Sequence, residues 1–181
     1  GNILKVDLSS RSVSKLSTMD YADRFLGGRG IAARLYWDHV PPKVSCFNPD
    51  NVLIFATGPL AGIPVIGGSR WVVCAKSPTT SPKHFSSANL GGNWGIALKS
   101  AGYDAIFIQG KADRPIYLFI HDDTVQFEDA SAIRGKGAIK TREALKAELG
   151  ESASVVAIGP AVENMVTLAT IVADNDAVGS A

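Results

Sequence analysis

The sequence predicts an α+β fold: two similar β-rich repeats, layered about a pseudo-twofold, with helices packed on the sheets. Three observations carry that expectation. An order of hairpin, helix, strand, turn and strand occurs twice; a Gly-basic-Gly tripeptide precedes each long helix; and a Gly-Pro closes a buried strand in each half. Asn2 to Asp7 and Val13 to Leu16 read as strands around Ser9-Ser10-Arg11. Pro115 to Ile120 and Val125 to Glu128 repeat that hairpin around His121-Asp122-Asp123.

Helices follow Gly28-Arg29-Gly30 and Gly135-Lys136-Gly137. In the first, Ile31, Leu35 and then His39 or Val40 outline the inward face. In the second, Ile139, Leu145 and Leu149 do so, with Glu143 and Lys146 outside. The glycines read as close helix-to-sheet packing, and Arg29 and Lys136 as solvated charges. The strands VLIFATGP and SVVAIGP end at Gly58-Pro59 and Gly159-Pro160, and a further apolar strand follows each, Trp71 to Ala75 and Thr167 to Ala173. Between the halves, Gly95 to Lys99 reads as a short helix and Asp104 to Gln109 as a strand, which divides the chain at about 1–103 and 104–181.

Composition excludes several function classes. The 181 residues are 46% hydrophobic with a formal net charge of +1, which suits a folded domain and gives no general attraction to nucleic acid or acidic membranes. No apolar run approaches the roughly 20 residues that span a bilayer, and no signal peptide is read, so a cytoplasmic location is expected. Cys46 and Cys74 form no C-x-x-C, and Cys74 lies in the apolar run WVVCA as a small hydrophobe. His39, His84 and His121 do not pair at metal-ligand spacing. The ends read as cut from something longer, and a homo-oligomer is left open.

The most informative stretch runs from Gly58 to Gly92. Two Gly-rich turns, Gly67-Gly68 and Gly91-Gly92, flank the apolar run, with Arg70 and Asn89 beside them. Glycine lets backbone approach a ligand, exposed N–H and C=O groups hold phosphate or its metal ion, and arginine offers a permanently charged fork. The pattern suits a cradle for a large anionic cofactor, while plain turns are the alternative on pattern alone. It is neither a dinucleotide fingerprint nor a P-loop, which weighs against an unrelated nucleotide-binding domain.

Read together, GNILKVDLSS, FLGGRGIAARLYWD, NVLIFATGPLAG, SRWVVCAKSP, ANLGG, LKSAGYDAIFIQGKA and AIGPAVEN resemble the N-terminal domain of the aldehyde ferredoxin oxidoreductases along essentially the whole chain. The resemblance implies an enzyme that oxidises aldehydes, or related oxo compounds, to carboxylic acids and passes electrons to ferredoxin. It implies a tungsten (or molybdenum) bis-pterin whose phosphates are bridged by Mg, and a 4Fe-4S cluster held by later domains of the same polypeptide. On that reading no catalytic residue lies in this chain. Arg70 matches a phosphate contact; Asn89 matches a backbone-carbonyl ligand of Mg; Gly91 matches a neighbouring backbone contact. Ala177, Val178 and Gly179 match the second-half contacts, Val178 as a carbonyl ligand of Mg, but Ala177 stands where the family often has arginine. That substitution leaves open a non-catalytic scaffold, or a branch acting on an aromatic acyl compound. Lys83 and His84, in a lengthened loop, are expected near the cradle, Lys83 more as a solvated lysine than as a replacement for the arginine. Glu163 and Asn164 read as turn caps ahead of the alternative, an approach to the pterin.

Overall fold

In this computed structural model, residues 1–174 and the backbone of 178–179 are described. Local turn chemistry starts the first sheet. β1 (Asn2–Asp7) and β2 (Ser12–Ser17) pair antiparallel. The Asp7 carboxylate accepts the amides of Ser9 and Ser10 at 2.9 and 3.0 Å, which closes the turn. After the helices α1 (Met19–Phe25) and α2 (Gly28–His39), strands β3 (Leu53–Thr57), β4 (Trp71–Lys76) and β5 (Phe85–Leu90) form an antiparallel meander. Helix α3 (Trp94–Ser100) then leads into β6 (Tyr103–Gln109), which inserts parallel to β1 and antiparallel to β3. The resulting six-stranded sheet has the order β2-β1-β6-β3-β4-β5.

Strand alternation sends side chains to two faces. Ile54, Cys74 and Phe107 meet Ile31, Ala32 and Leu35 of α2, whose i, i+4 spacing puts them on one helical stripe. Phe55, Trp71, Val73 and Ile106 fill the opposite face together with Leu98 of α3. Cys74 is fully buried, and the cost of burying a thiolate pushes its thiol up to about 12.

The second half uses the same elements at smaller scale. β7 (Ile116–His121) and β8 (Thr124–Asp129) form a separate hairpin. Helix α4 (Ala138–Leu149) follows, then β9 (Val156–Ala157), the single turn α5 (Pro160–Glu163), β10 (Ile171–Ala173) and β11 (Val178–Gly179). The last three strands pair antiparallel in the order β11-β10-β9. The chain is thus a mixed α/β protein, and the expected order of elements is present in both halves. Among the described residues no helix is long and apolar enough to cross a membrane.

Several expectations change. The division expected at 103 and 104 falls at the start of β6, which is a central strand of the first sheet. Beyond Lys83 and His84 the lengthened loop gives way to β5 at Phe85, because pairing with all six residues of β4 satisfies the backbone of residues 85–90. Ile139 is 52% exposed, and Thr141 and Leu145 occupy the buried stripe of α4. The paired glycines also part company. A Cβ on Gly30 would lie 2.5 Å from the Phe25 carbonyl at the end of α1, not against the sheet, whereas one on Gly137 would meet nothing within 4 Å.

Candidate functional site

The β4–β5 hairpin brings the two glycine turns together. Trp71 pairs with Leu90, so Arg70 and Gly91, each one residue further out, flank the same open end of the ladder. Val72 pairs with Asn89 one step in, which makes Asn89 a neighbour of this end. Arg70 is exposed, its amide donates to the Gly67 carbonyl at 3.4 Å, and its guanidinium has no ion pair among the described residues. A Cβ at Gly67 or Gly91 would meet no atom within 4 Å, so the space over both backbones is open. The sequence-predicted first-half residues therefore share one rim, formed of exposed backbone and one uncompensated cation.

That rim rests on Trp71. Trp71 is 1% exposed; its indole lies 4.6 Å from that of Trp94, tilted by 45°, and 6.0 Å from Phe55. Its Nε1–H donates to the Gly91 carbonyl at 3.0 Å, fixing the orientation of the turn from below. Gly95, at the start of α3, permits this: a Cβ there would approach the Trp71 side chain to 2.9 Å. Sequence reasoning treated Trp71 only as the first residue of an apolar strand. Its position immediately after Arg70, with glycines at 91, 92 and 95, is the signal that could have marked it as a support.

The second-half residues are described only in part. Ala177 lies outside the described residues. Val178 and Gly179 form β11, whose backbone pairs with Val172 and Ile171 of β10 and lies beside β5, the strand of Asn89. The chain enters this region through Asp174, which is buried. One carboxylate oxygen accepts the Val155 amide at 2.9 Å; the other is 3.4 Å from the Lys146 ammonium, an ion pair without hydrogen-bond geometry. Among the described residues no three His, Cys, Asp or Glu side chains converge as metal ligands, so a cation on this rim would rely on backbone oxygen.

Lys83 and His84 lie away from the rim. They precede Phe85, which pairs with Lys76 at the far end of β4, about 20 Å from Arg70 at roughly 3.3 Å per strand residue. Lys83 lies 3.6 Å from the Cys46 sulfur and over the Phe47 ring. The expected proximity to the cradle is corrected by the hairpin register. Arg29 and Lys136 are exposed, and the Glu163 carboxylate accepts the Gly135 amide at 2.9 and 3.1 Å, a structural tie across the turn before α4.

Both loops after the Gly-Pro turns expose large apolar groups. Leu60, Ile63, Val65 and Ile66 project before Arg70, and Met165, Val166 and Leu168 before β10. Such paired patches on one chain are more than scattered surface hydrophobes.

Comparison with known proteins places the chain in a family. Residues 3–181 match the family model described as aldehyde ferredoxin oxidoreductase, N-terminal domain. The chain is 43% identical over 173 residues to the tungsten-containing aldehyde ferredoxin oxidoreductase of Pyrococcus abyssi, and 41% identical over 173 residues to that of Pyrococcus horikoshii. Each alignment covers 94% of this chain, which spans about 28% of the length of these curated relatives. Among solved structures, the active-site complex BamBC of benzoyl coenzyme A reductase, in complex with 1,5-dienoyl-CoA, superposes with a TM-score of 0.92 at 42% identity, covering 98% of this chain and 27% of that one. The chain belongs to the aldehyde ferredoxin oxidoreductase family, as its N-terminal domain.

Proposed function

We propose that this chain cradles a tungsten (or molybdenum) bis-pterin in an oxidoreductase that converts aldehydes to carboxylic acids with ferredoxin as acceptor. One observation carries the reading: in a member of this family, Arg70 and Gly91 flank one rim with an unpaired guanidinium and open backbone. Arg70 would hold phosphate oxygens, and the backbone of Gly91 would allow close approach. The carbonyls of Asn89 and Val178 would ligate Mg, which prefers oxygen donors, with Ala177 and Gly179 as backbone contacts. The bound group supplies the redox chemistry; these residues bind and orient it.

The two halves would act as pseudo-twofold repeats, the meander β9–β10–β11 answering β3–β4–β5, with β11 beside β5 supporting that arrangement. The 4Fe-4S cluster and the catalytic groups would come from further domains of the same polypeptide, working in the cytoplasm. The exposed apolar loops after Gly58-Pro59 and Gly159-Pro160 are the surface those domains would cover.

Arg70→Ala in the full polypeptide tests the cradle. Folding stability should change by less than about 0.5 kcal/mol, because the side chain is exposed. Tungsten or molybdenum content should fall severalfold. A folded variant with full metal content would remove Arg70 as the anchor, and a wild-type protein with neither metal would favour the scaffold reading.

A second reading is supported by the 42% identity to the benzoyl coenzyme A reductase complex: a branch acting on an aromatic acyl compound. Turnover of an aromatic acyl thioester with no aldehyde oxidation would select it.

A further inference from the structure

One peptide on the rim takes its direction from a residue beneath it. The Trp71 Nε1–H donates to the Gly91 carbonyl at 3.0 Å, and Trp71 is 1% exposed, so that carbonyl points into the core. The Gly91–Gly92 peptide is trans, and a trans peptide is planar with its N–H opposite its C=O. The amide of Gly92 therefore turns away from the indole and outward. Among the described residues no group accepts its hydrogen bond. Arg70 flanks the same end of the ladder, and the space over Gly91 is open.

The backbone alone would not choose this direction. Between two glycines, the second with a φ of +82°, a peptide can turn over with little steric cost. Turned over, it would aim the Gly91 carbonyl at the rim and exchange an anion-seeking group for a cation-seeking one. Trp71 decides between the two. An indole N–H is a donor only, so it can hold the carbonyl and never the amide. The ring cannot follow a turning peptide. It lies 4.6 Å from the Trp94 ring and 6.0 Å from that of Phe55, and it fills the space left at Gly95, where a Cβ would approach it to 2.9 Å.

We propose that Trp71 is a specificity-determining residue of the rim. By holding the Gly91 carbonyl inward it keeps the Gly92 amide outward, and this stretch takes phosphate and excludes a divalent cation. This rests on the cradle reading and deepens it. Phosphate oxygens would meet Arg70 and the Gly92 amide, and Mg would be left to the Asn89 carbonyl.

Two substitutions separate the hydrogen bond from the packing. Trp71→Phe keeps a large ring and removes the N–H. Trp71→His fills less space but places its Nε2–H where the indole has Nε1–H, because both five-membered rings join Cβ at the same position. The full polypeptide is freed of cofactor, isotope-labelled at glycine carbonyl carbon and amide nitrogen, and kept at about pH 8, where histidine is neutral. It is titrated with inorganic phosphate and separately with Mg²⁺, and the Gly91–Gly92 peptide is followed by NMR. Phosphate should move the Gly92 amide signal in the wild type. Its affinity should fall at least about tenfold in Trp71→Phe, while that of Mg²⁺ rises. Trp71→His should return it to within about threefold of wild type, although that variant unfolds at lower urea. Equal phosphate affinity in wild type and Trp71→Phe would overturn the proposal. So would affinity that tracks urea stability and is lowest in Trp71→His. Should the histidine variant not fold, wild type against Trp71→Phe still decides. Protein that keeps its metal separates the two readings. A Gly92 signal indifferent to added phosphate supports the cofactor's own phosphate there; one that still responds would sink the cradle and leave the Trp71 selectivity standing, with free phosphate as the ligand.

Discussion

The two halves of this chain share an order of elements but differ in how firmly each element is held. Strands of five to seven residues make up the first sheet, whereas β9, β10 and β11 have two or three residues each. The first half buries large rings on both faces of one sheet. Among the described residues, the second half's own cluster contains only Leu145, Val155 and Ala157 as buried members. One half therefore offers a stiff wall on which Arg70 and Gly91 are fixed, and the other approaches it as a thinner element tethered through Asp174.

Core truncation is the strongest way to break this comparison. Trp71→Ala removes a nearly buried indole, its ring contacts and the bond to Gly91, and should cost about 4 kcal/mol in urea unfolding. Leu145→Ala should cost about 2 kcal/mol, because its cluster is small and can collapse. Equal losses would mean the second half is packed as tightly as the first. Trp71→Phe keeps most of the packing and removes the N–H, so a selective drop in metal content with modest destabilisation would isolate the hold on Gly91.

The glycines before the long helices sharpen the contrast. Gly30→Ala drives a methyl into the fixed Phe25 carbonyl and should cost about 2 kcal/mol. Gly137 has a φ of −64° and open space, so Gly137→Ala should be neutral or stabilise by about 0.5 kcal/mol. Thermal unfolding of the two variants checks the difference. A similar Tm loss in both would show that each glycine serves the same close contact.

These glycines also show where sequence could and could not be read. The repeat made Gly28-Arg29-Gly30 and Gly135-Lys136-Gly137 look equivalent, and both do open helices. What separates them is α1, a short helix without a long apolar stripe that sequence reasoning passed over, yet it delivers the Phe25 carbonyl. β5 was hidden for a related reason. In FSSANL, Phe85 packs against one core while Ala88 and Leu90 pack against the other, so the apolar residues show no clean alternation. The placement of β6 depends on long-range pairing that no local pattern encodes. Arg70, Asn89 and Gly91 could be named as candidates because glycine, charge and turn chemistry are local, whereas the support from Trp71 and the remoteness of Lys83 follow only from the folded hairpin.

Asp174 is the next lever. Asp174→Ala would leave the buried Val155 amide without its acceptor and should cost about 2 kcal/mol. The loss should appear as faster amide exchange in β9 and β10 before the first sheet is affected. Simultaneous release of β3 and β4 would instead make the two halves one cooperative unit.

Asp104 gives a small effect with the clearest sign. Like Asp174 it takes a lysine from a neighbouring helix, here Lys99 of α3, but it sits on β6 in the first sheet. Burial opposes its ionisation; the hydrogen bond and charge of Lys99 oppose burial and hold the carboxyl below its ordinary value of 3.8. A carboxyl depressed in the folded state contributes stability that is present above its unfolded value and lost as pH falls through the folded one. Acid should therefore weaken the protein below about pH 4 through this group. Asp104→Asn should flatten that part of the stability–pH curve while costing about 1 kcal/mol at neutral pH. An unchanged acid limb would place the proton-linked stability elsewhere and remove the Lys99–Asp104 pair as a difference between the halves.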